Sequence, residues 1–190
     1  MKDQLVIPWP RYGLIAELAH RLDGLSPQFG KTVLQKMVFL LQELHDIDCG
    51  YDFTLYTYGP FASLLLQDLD LAESLKGVDV HPAEGVAGGY TIKPGEANSW
   101  LRAKAGGFLK DGKVRGALDA LISEFGEFSA RELELTSTIV YVQREQASRY
   151  GRCTHDELMR IVREIKPRYT TEEVDQNIRL LVSSKHIKVY

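Results

Sequence analysis

A helix that is apolar round most of its circumference cannot lie on a protein surface, and this chain carries one near its start. From Thr32 to Leu44 the sequence reads TVLQKMVFLLQEL, with Val33, Leu34, Met37, Val38, Leu40, Leu41 and Leu44 in one broad stripe and Phe39 on another side. Such a segment belongs at the buried centre of a domain, with other elements wrapped round it. The next residues supply them. Phe53, Leu55 and Thr57 alternate with Thr54, Tyr56 and Tyr58, as in a strand. Gly59-Pro60 ends the alternation, and Pro60 is well placed at the first turn of a following helix, Phe61 to Lys76. In that helix Phe61, Leu64, Leu65, Leu69, Ala72 and Leu75 recur at helical spacing through Lys76, and Gly77 is the expected stop.

Around this centre the chain reads as mainly α with small β-hairpins. Met1 to Pro10, with two prolines beside Trp9, suits an extended lead-in, and Tyr12 to Asp23 has helical periodicity closed by Gly24. Val78 to His81 and Tyr90 to Lys93 alternate, with the Gly-rich stretch Pro82 to Gly89 between them as a hairpin tip. Helix, strand, helix and hairpin in this order outline a winged helix with that tip as its wing. A short helix with Trp100 and Leu101, broken at Gly106-Gly107, and a second from Asp111 to Phe125 complete a first unit, residues 1–126. Gly126 to Ser129 reads as a joint. In residues 127–190 Ser129-x-x-Glu132 and Thr154-x-x-Glu157 have the capping-box form, and Thr170 or Thr171 caps a last helix. Leu158, Ile161, Val162 and Ile165, then Val174, Ile178, Leu181 and Val182, are the expected inward faces, and Ile187 to Tyr190 an edge strand. The expectation is two winged-helix-like units packed together.

The run Leu34-Gln35-Lys36-Met37-Val38-Phe39-Leu40, then Tyr58-Gly59-Pro60-Phe61 and Asp68-Leu69-Asp70, resembles the YwgA-like group of uncharacterised bacterial proteins. More distantly it is similar to the Panacea domain of SocA-type antitoxins, with its Leu-Gln-Lys helix and later Gly-Pro. The likeness covers Lys31 to Gly77 and, more loosely, the C-terminal third. What the Panacea resemblance implies is a helical domain that neutralises or delivers a partner protein. It carries no functional residue over to this chain.

The residues themselves argue against several chemistries. A net charge of −3 gives no general attraction to nucleic acid or an acidic membrane. No apolar run approaches the ~20 residues of a membrane span, and the start of the chain has no signal-peptide form. Cys49 and Cys153 stand far apart without a CxxC spacing, which predicts packing thiols in a cytoplasmic chain. His155 beside Asp156 and Glu157 lacks the second histidine of a zinc helix, because position 159 is Met. Asp46-x-Asp48-x-Gly50 lacks the bidentate acid of a calcium loop, whose place is taken by Thr57, and reads as a turn. Gly85, Gly88 and Gly89 lead into a strand with no Lys-Ser/Thr after them, unlike a phosphate loop. Nothing calls for a catalytic group, metal or cofactor, and a non-enzymatic protein is expected.

Two binding readings remain. Winged helices often hold DNA, and Arg149, Arg152, Arg160, Arg163, Lys166 and Arg168 form a basic cluster for that alternative, a DNA-binding regulator. Against it, both recognition helices carry acids: Asp68, Asp70 and Glu73 in the first, Glu172, Glu173 and Asp175 in the second. Asp156 and Glu164 also stand four residues either side of Arg160, as on a solvated face. The favoured reading is a protein-interaction module, antitoxin-like or adaptor-like. Its candidate surface is Leu66 with Asp70 and Glu73, on the side of the Phe61 helix opposite the core. Asp68 falls instead among Leu64, Leu65, Ala72 and Leu75. A buried carboxylate needs a partner, and Lys36 or the Tyr56 and Tyr58 hydroxyls are the candidates for a buried structural contact.

Overall fold

The computed structural model describes residues 7–83 and 88–190. The first part runs α1 (Trp9–Leu22), α2 (Lys31–His45), β1 (Thr54–Tyr56), β2 (Gly59–Phe61), α3 (Ser63–Ser74), β3 (Val78–Pro82) and β4 (Tyr90–Pro94). The rest is helical: α4 (Asn98–Lys104), the single turn α5 (Gly106–Leu109), α6 (Gly112–Phe125), α7 (Ala130–Tyr150), α8 (His155–Ile165) and α9 (Thr171–Ser183). The fold is mainly α with small antiparallel hairpins, as the sequence predicts. No helix among the described residues is long and apolar enough to cross a membrane.

α2 is the enclosed centre that its apolar circumference demands. Every residue from Val33 to Leu41 is buried, Gln35 and Lys36 included. α6, α7 and the strands β2 and β4 pack round it, while α1 packs on α3 and α4. Residues from both sides of the 126–129 joint, such as Leu40, Phe125, Ile139 and Leu181, belong to one continuous buried cluster. α7 reaches into that cluster because its Leu133–Val140 stretch is buried throughout, polar side chains among them.

Local rules account for four helix starts. Ser129, Thr154 and Thr170 each close a capping box with the glutamate three residues on, and Asp111 accepts from Lys113 N and Val114 N at the start of α6. Two ends differ from expectation. α1 begins at Trp9, with Pro10 in its first turn, where a missing N–H costs nothing, so Trp9 and Pro10 are helical and not part of an extended lead-in. Gly77 does not supply the left-handed residue after α3. Lys76 does, at φ 58°. A Cβ on Gly77 would stand well inside contact of Leu101 Cδ2 and 3.2 Å from Leu101 Cβ, so this glycine lets α4 approach.

The strands also depart from the expected outline. Gly59-Pro60 does not open a helix: both residues lie in β2, antiparallel to β1 with Tyr56 opposite Gly59, Leu55 opposite Pro60 and Thr54 opposite Phe61. A two-stranded hairpin leaves Pro60 at an edge, where a residue without an N–H is tolerated. β3 and β4 pair separately, from Val78 opposite Pro94 to Pro82 opposite Tyr90, so β1 does not extend the wing. The centre of the expected wing tip, residues 84–87, lies outside the described residues. Ile187 to Tyr190 forms no strand; Tyr190 N donates once, to Cys153 O. Ile165 and Val182, expected inward, are exposed, because α8 and α9 each bury a narrower stripe.

Candidate functional site

Two polar constellations organise the surface around α3 and the β1–β2 hairpin. The first holds Asp68, 1% exposed on the inner face of α3. Its partners are not the expected ones. Arg11 on α1 brings Nε to 2.8 Å from Oδ2 and donates from Nη2 to Oδ1 at 3.3 Å, and the Tyr51 hydroxyl donates to Oδ2 at 2.9 Å. Burial, and then the Asp68 charge, push the Tyr51 phenol upward, so it stays a donor. Asp68 therefore ties α1, α3 and the loop after α2 together, a structural role. Lys36 reaches elsewhere, and Tyr56 and Tyr58 are open to solvent, 64% and 61% exposed, so neither tyrosine is a buried polar group.

The second constellation anchors the hairpin. The Gln35 side-chain amide donates to Ala62 O and accepts from Ala62 N, both at 2.9 Å, where the chain leaves β2. Lys36 Nζ donates to Pro60 O at 2.7 Å. Lys166, at the end of α8, donates to Thr57 O and, at 2.7 Å, to Glu134 Oε1. Arg168 donates to Glu134 Oε2, and the Glu134 and Lys166 side chains are each 3% exposed. Gly59, at φ 87°, lies against α7, where a Cβ would come within 3.0 Å of Thr138 Oγ1 and 3.4 Å of Ser137 Oγ. Those hydroxyls are satisfied within α7, donating to Glu134 O at 2.7 and 3.2 Å. Burial lowers the Lys36 pKa to about 8, with Glu134 opposing and Lys166 reinforcing the shift.

This anchoring redistributes the basic cluster. Lys166 and Arg168 are committed to Glu134, Arg149 pairs with Glu145 at 2.9 Å, and Arg160 pairs with Glu164 at 3.8 Å. Arg163 Nη1 donates to Pro167 O at 3.4 Å, while Arg152 is exposed just beyond α7. The six residues do not form one free basic face.

Between the hairpin, α2 and the start of α3 lies a groove of about 330 Å³. Tyr56, Tyr58, Phe61 and Leu66 give it apolar walls, and Lys31, Thr32, Gln35, Lys36 and Thr57 also line it. Leu66 is half-buried against the core, not turned away from it, because the hairpin folds over that end of α3. Asp70 and Glu73 are exposed further along the helix, and Glu73 Oε1 accepts from Val80 N at 3.2 Å. The other reactive candidates are accounted for. Cys49 and Cys153 are free and buried, and burial pushes the Cys49 thiol up to about 12. His155 Nε2 lies 2.9 Å from Asp175 Oδ1, Asp48 Oδ1 accepts from Gly50 N in a turn, and no group of three metal-ligating side chains occurs among the described residues.

The sequence reading missed Arg11, Tyr51 and Glu134. Glu134 had a signal: it stands among Leu133, Leu135, Ile139 and Val140, a pattern too apolar on opposite faces for a surface helix. Set against models of known protein families, curated proteins and solved structures, the chain finds no match in any of the three. The likeness to the YwgA-like and Panacea groups therefore rests on the residues quoted for it. Their physical content is now explicit: Lys36 and Gln35 hold the backbone on either side of Phe61, at Pro60 O and at Ala62.

Asp68→Ala should lower unfolding free energy by about 3 kcal/mol, since it leaves Arg11 and Tyr51 without their acceptor. Asp70→Ala, at an exposed site, should stay within about 0.5 kcal/mol. Urea titration of the two variants checks this, and equal small losses would contradict it. Lys36 gives a pH signature. Below pH of about 8 it is charged in folded and unfolded chains alike; between about 8 and 10.5 only the unfolded chain holds the proton, so stability rises with pH through that window. The Cys49 thiol and the Tyr51 phenol act with opposite sign at higher pH, so wild type is compared with Lys36→Met. That difference in unfolding free energy should grow by about 3 kcal/mol across the window in wild type's favour.

Proposed function

We propose that this protein is a non-enzymatic interaction module, antitoxin-like or adaptor-like, that binds a partner protein at the groove beside the Tyr56–Tyr58 hairpin. The observation that carries this reading is the pair of exposed tyrosines standing over an apolar groove walled by Phe61 and half-buried Leu66. Tyrosine is enriched at interfaces because it offers a large rigid ring and a polar tip together, and anchors of this kind dominate binding energy where they fill pockets. The hairpin that presents them is held by Gln35, Lys36 and Lys166, so little order has to be gained on binding. Asp70 and Glu73 are exposed further along the same helix, outside the residues that line the groove. The likeness to the Panacea domain points the same way.

The DNA reading loses support because Lys166, Arg168, Arg149 and Arg160 are engaged by carboxylates, which leaves few cations to displace counterions from phosphates. A cytoplasmic setting suits the two free, buried cysteines.

The test uses the double variant Tyr56→Ser/Tyr58→Ser, in which both side chains are exposed and stability should change by less than about 1 kcal/mol. A partner that co-purifies with the native chain, reconstituted from pure components, should bind the double variant at least tenfold more weakly. Unchanged affinity would contradict the reading. So would tight, sequence-selective duplex binding abolished by Arg149→Ala with Arg160→Ala, since affinity for DNA should be no better than the ~10⁻⁴–10⁻⁶ M of non-specific contact.

A further inference from the structure

A lysine ammonium has three protons to donate, and burying it without a counter-charge is costly. Lys36 is 2% exposed and makes one hydrogen bond among the described residues, to Pro60 O. The nearby carboxylate is already used: Glu134 takes Lys166 on one oxygen and Arg168 on the other. The cluster of Lys36, Lys166 and Arg168 around Glu134 therefore carries three cations to one anion. Of these cations Lys36 lines the groove, together with Lys31, Thr32, Gln35 and Thr57 beside the apolar walls, and the groove's volume of about 330 Å³ stands at the lower end of the ~300–1,000 Å³ range of ligand pockets.

The geometry points to a carboxylate-recognition subsite in this groove: a segment of the partner that sets one apolar side chain between Tyr56, Tyr58, Phe61 and Leu66 and brings an adjoining carboxylate to Lys36. This rests on the interaction reading above and names the chemistry that the partner presents. The carboxylate comes from an acidic side chain or from a chain terminus; both satisfy the same ammonium protons. Charge complementarity selects it over a basic or neutral segment, which would leave the Lys36 charge uncompensated. An anion placed there opposes the burial that holds the Lys36 pKa down near 8, so occupancy and Lys36 protonation are linked.

Hydrocinnamate and its amide serve as probes, followed by NMR on protein carrying isotope-labelled lysine and tyrosine. Hydrocinnamate should bind at least tenfold tighter than the amide, shift the ring signals of Tyr56 and Tyr58, and raise the Lys36 pKa from about 8. Lys36→Met should abolish the preference for the acid; if that variant does not fold, the wild-type Lys36 titration decides alone. A leucine–aspartate dipeptide with an amidated terminus and a leucine dipeptide with a free one then separate the two sources of carboxylate. Equal binding of acid and amide, or a Lys36 titration unmoved by either, would overturn the inference. A partner that depends on Tyr56 and Tyr58 but binds Lys36→Met normally would overturn it while leaving the interaction reading intact. Hydrocinnamate held at Lys36 in a chain whose partner ignores the tyrosine substitutions would do the reverse.

Discussion

A carboxylate taken out of water has to be given cations, and Glu134 on α7 is given two. Lys166 reaches it from the end of α8 and Arg168 from the following turn. Lys166 also donates to Thr57 O at the tip of the β1–β2 hairpin, so the same ammonium that neutralises Glu134 fixes the hairpin. With two strands of three residues each, the hairpin depends on this bridge together with the Gln35 and Lys36 hydrogen bonds to β2 and its exit, since isolated two-stranded ribbons are marginal in water. The position of the groove follows from this arrangement. Its outer wall is the hairpin, its inner wall is α2, and α7 fixes the distance between them.

The motif residues around Pro60 acquire a physical meaning in this light. Gln35 pairs with both backbone groups of Ala62, and Lys36 covers the carbonyl of Pro60, so the segment leaving β2 is held down by two consecutive side chains of α2. Gly59 is required twice over, by its left-handed backbone and by its approach to Thr138 and Ser137. None of these groups is arranged as a nucleophile with a base. They build a platform, and the platform exposes Tyr56 and Tyr58.

Much of this was legible in the sequence, for identifiable reasons. The burial of α2 followed from apolar residues all round it, and the capping boxes at Ser129, Thr154 and Thr170 are local chemistry. That Asp68 would be buried and paired followed from its place in an apolar stripe. Its partners did not follow, because Arg11 and Tyr51 come from other elements and only the tertiary fold brings them together. Gly59-Pro60 has the same local signature ahead of a helix as at a sheet edge, and the choice was made by α7 packing against the hairpin. The candidate site is legible in part: the sequence pattern picks out Leu66, but as a surface residue, and places the tyrosines in the interior. The reason is that a three-residue strand buries a face only where another element covers it, and here α7 and α2 pack on β2 and leave Tyr56 and Tyr58 open.

Amide hydrogen exchange in Glu134→Gln addresses this account most directly. The substitution keeps the shape of the side chain and removes the charge that holds Lys166 and Arg168. If the bridge sets the platform, protection should fall at least tenfold for the backbone amides between residues 54 and 61, Pro60 having none, while α1 and α4, which pack on each other, keep theirs. Hairpin amides as protected as in the wild type, or a loss spread evenly over the whole chain, would contradict it.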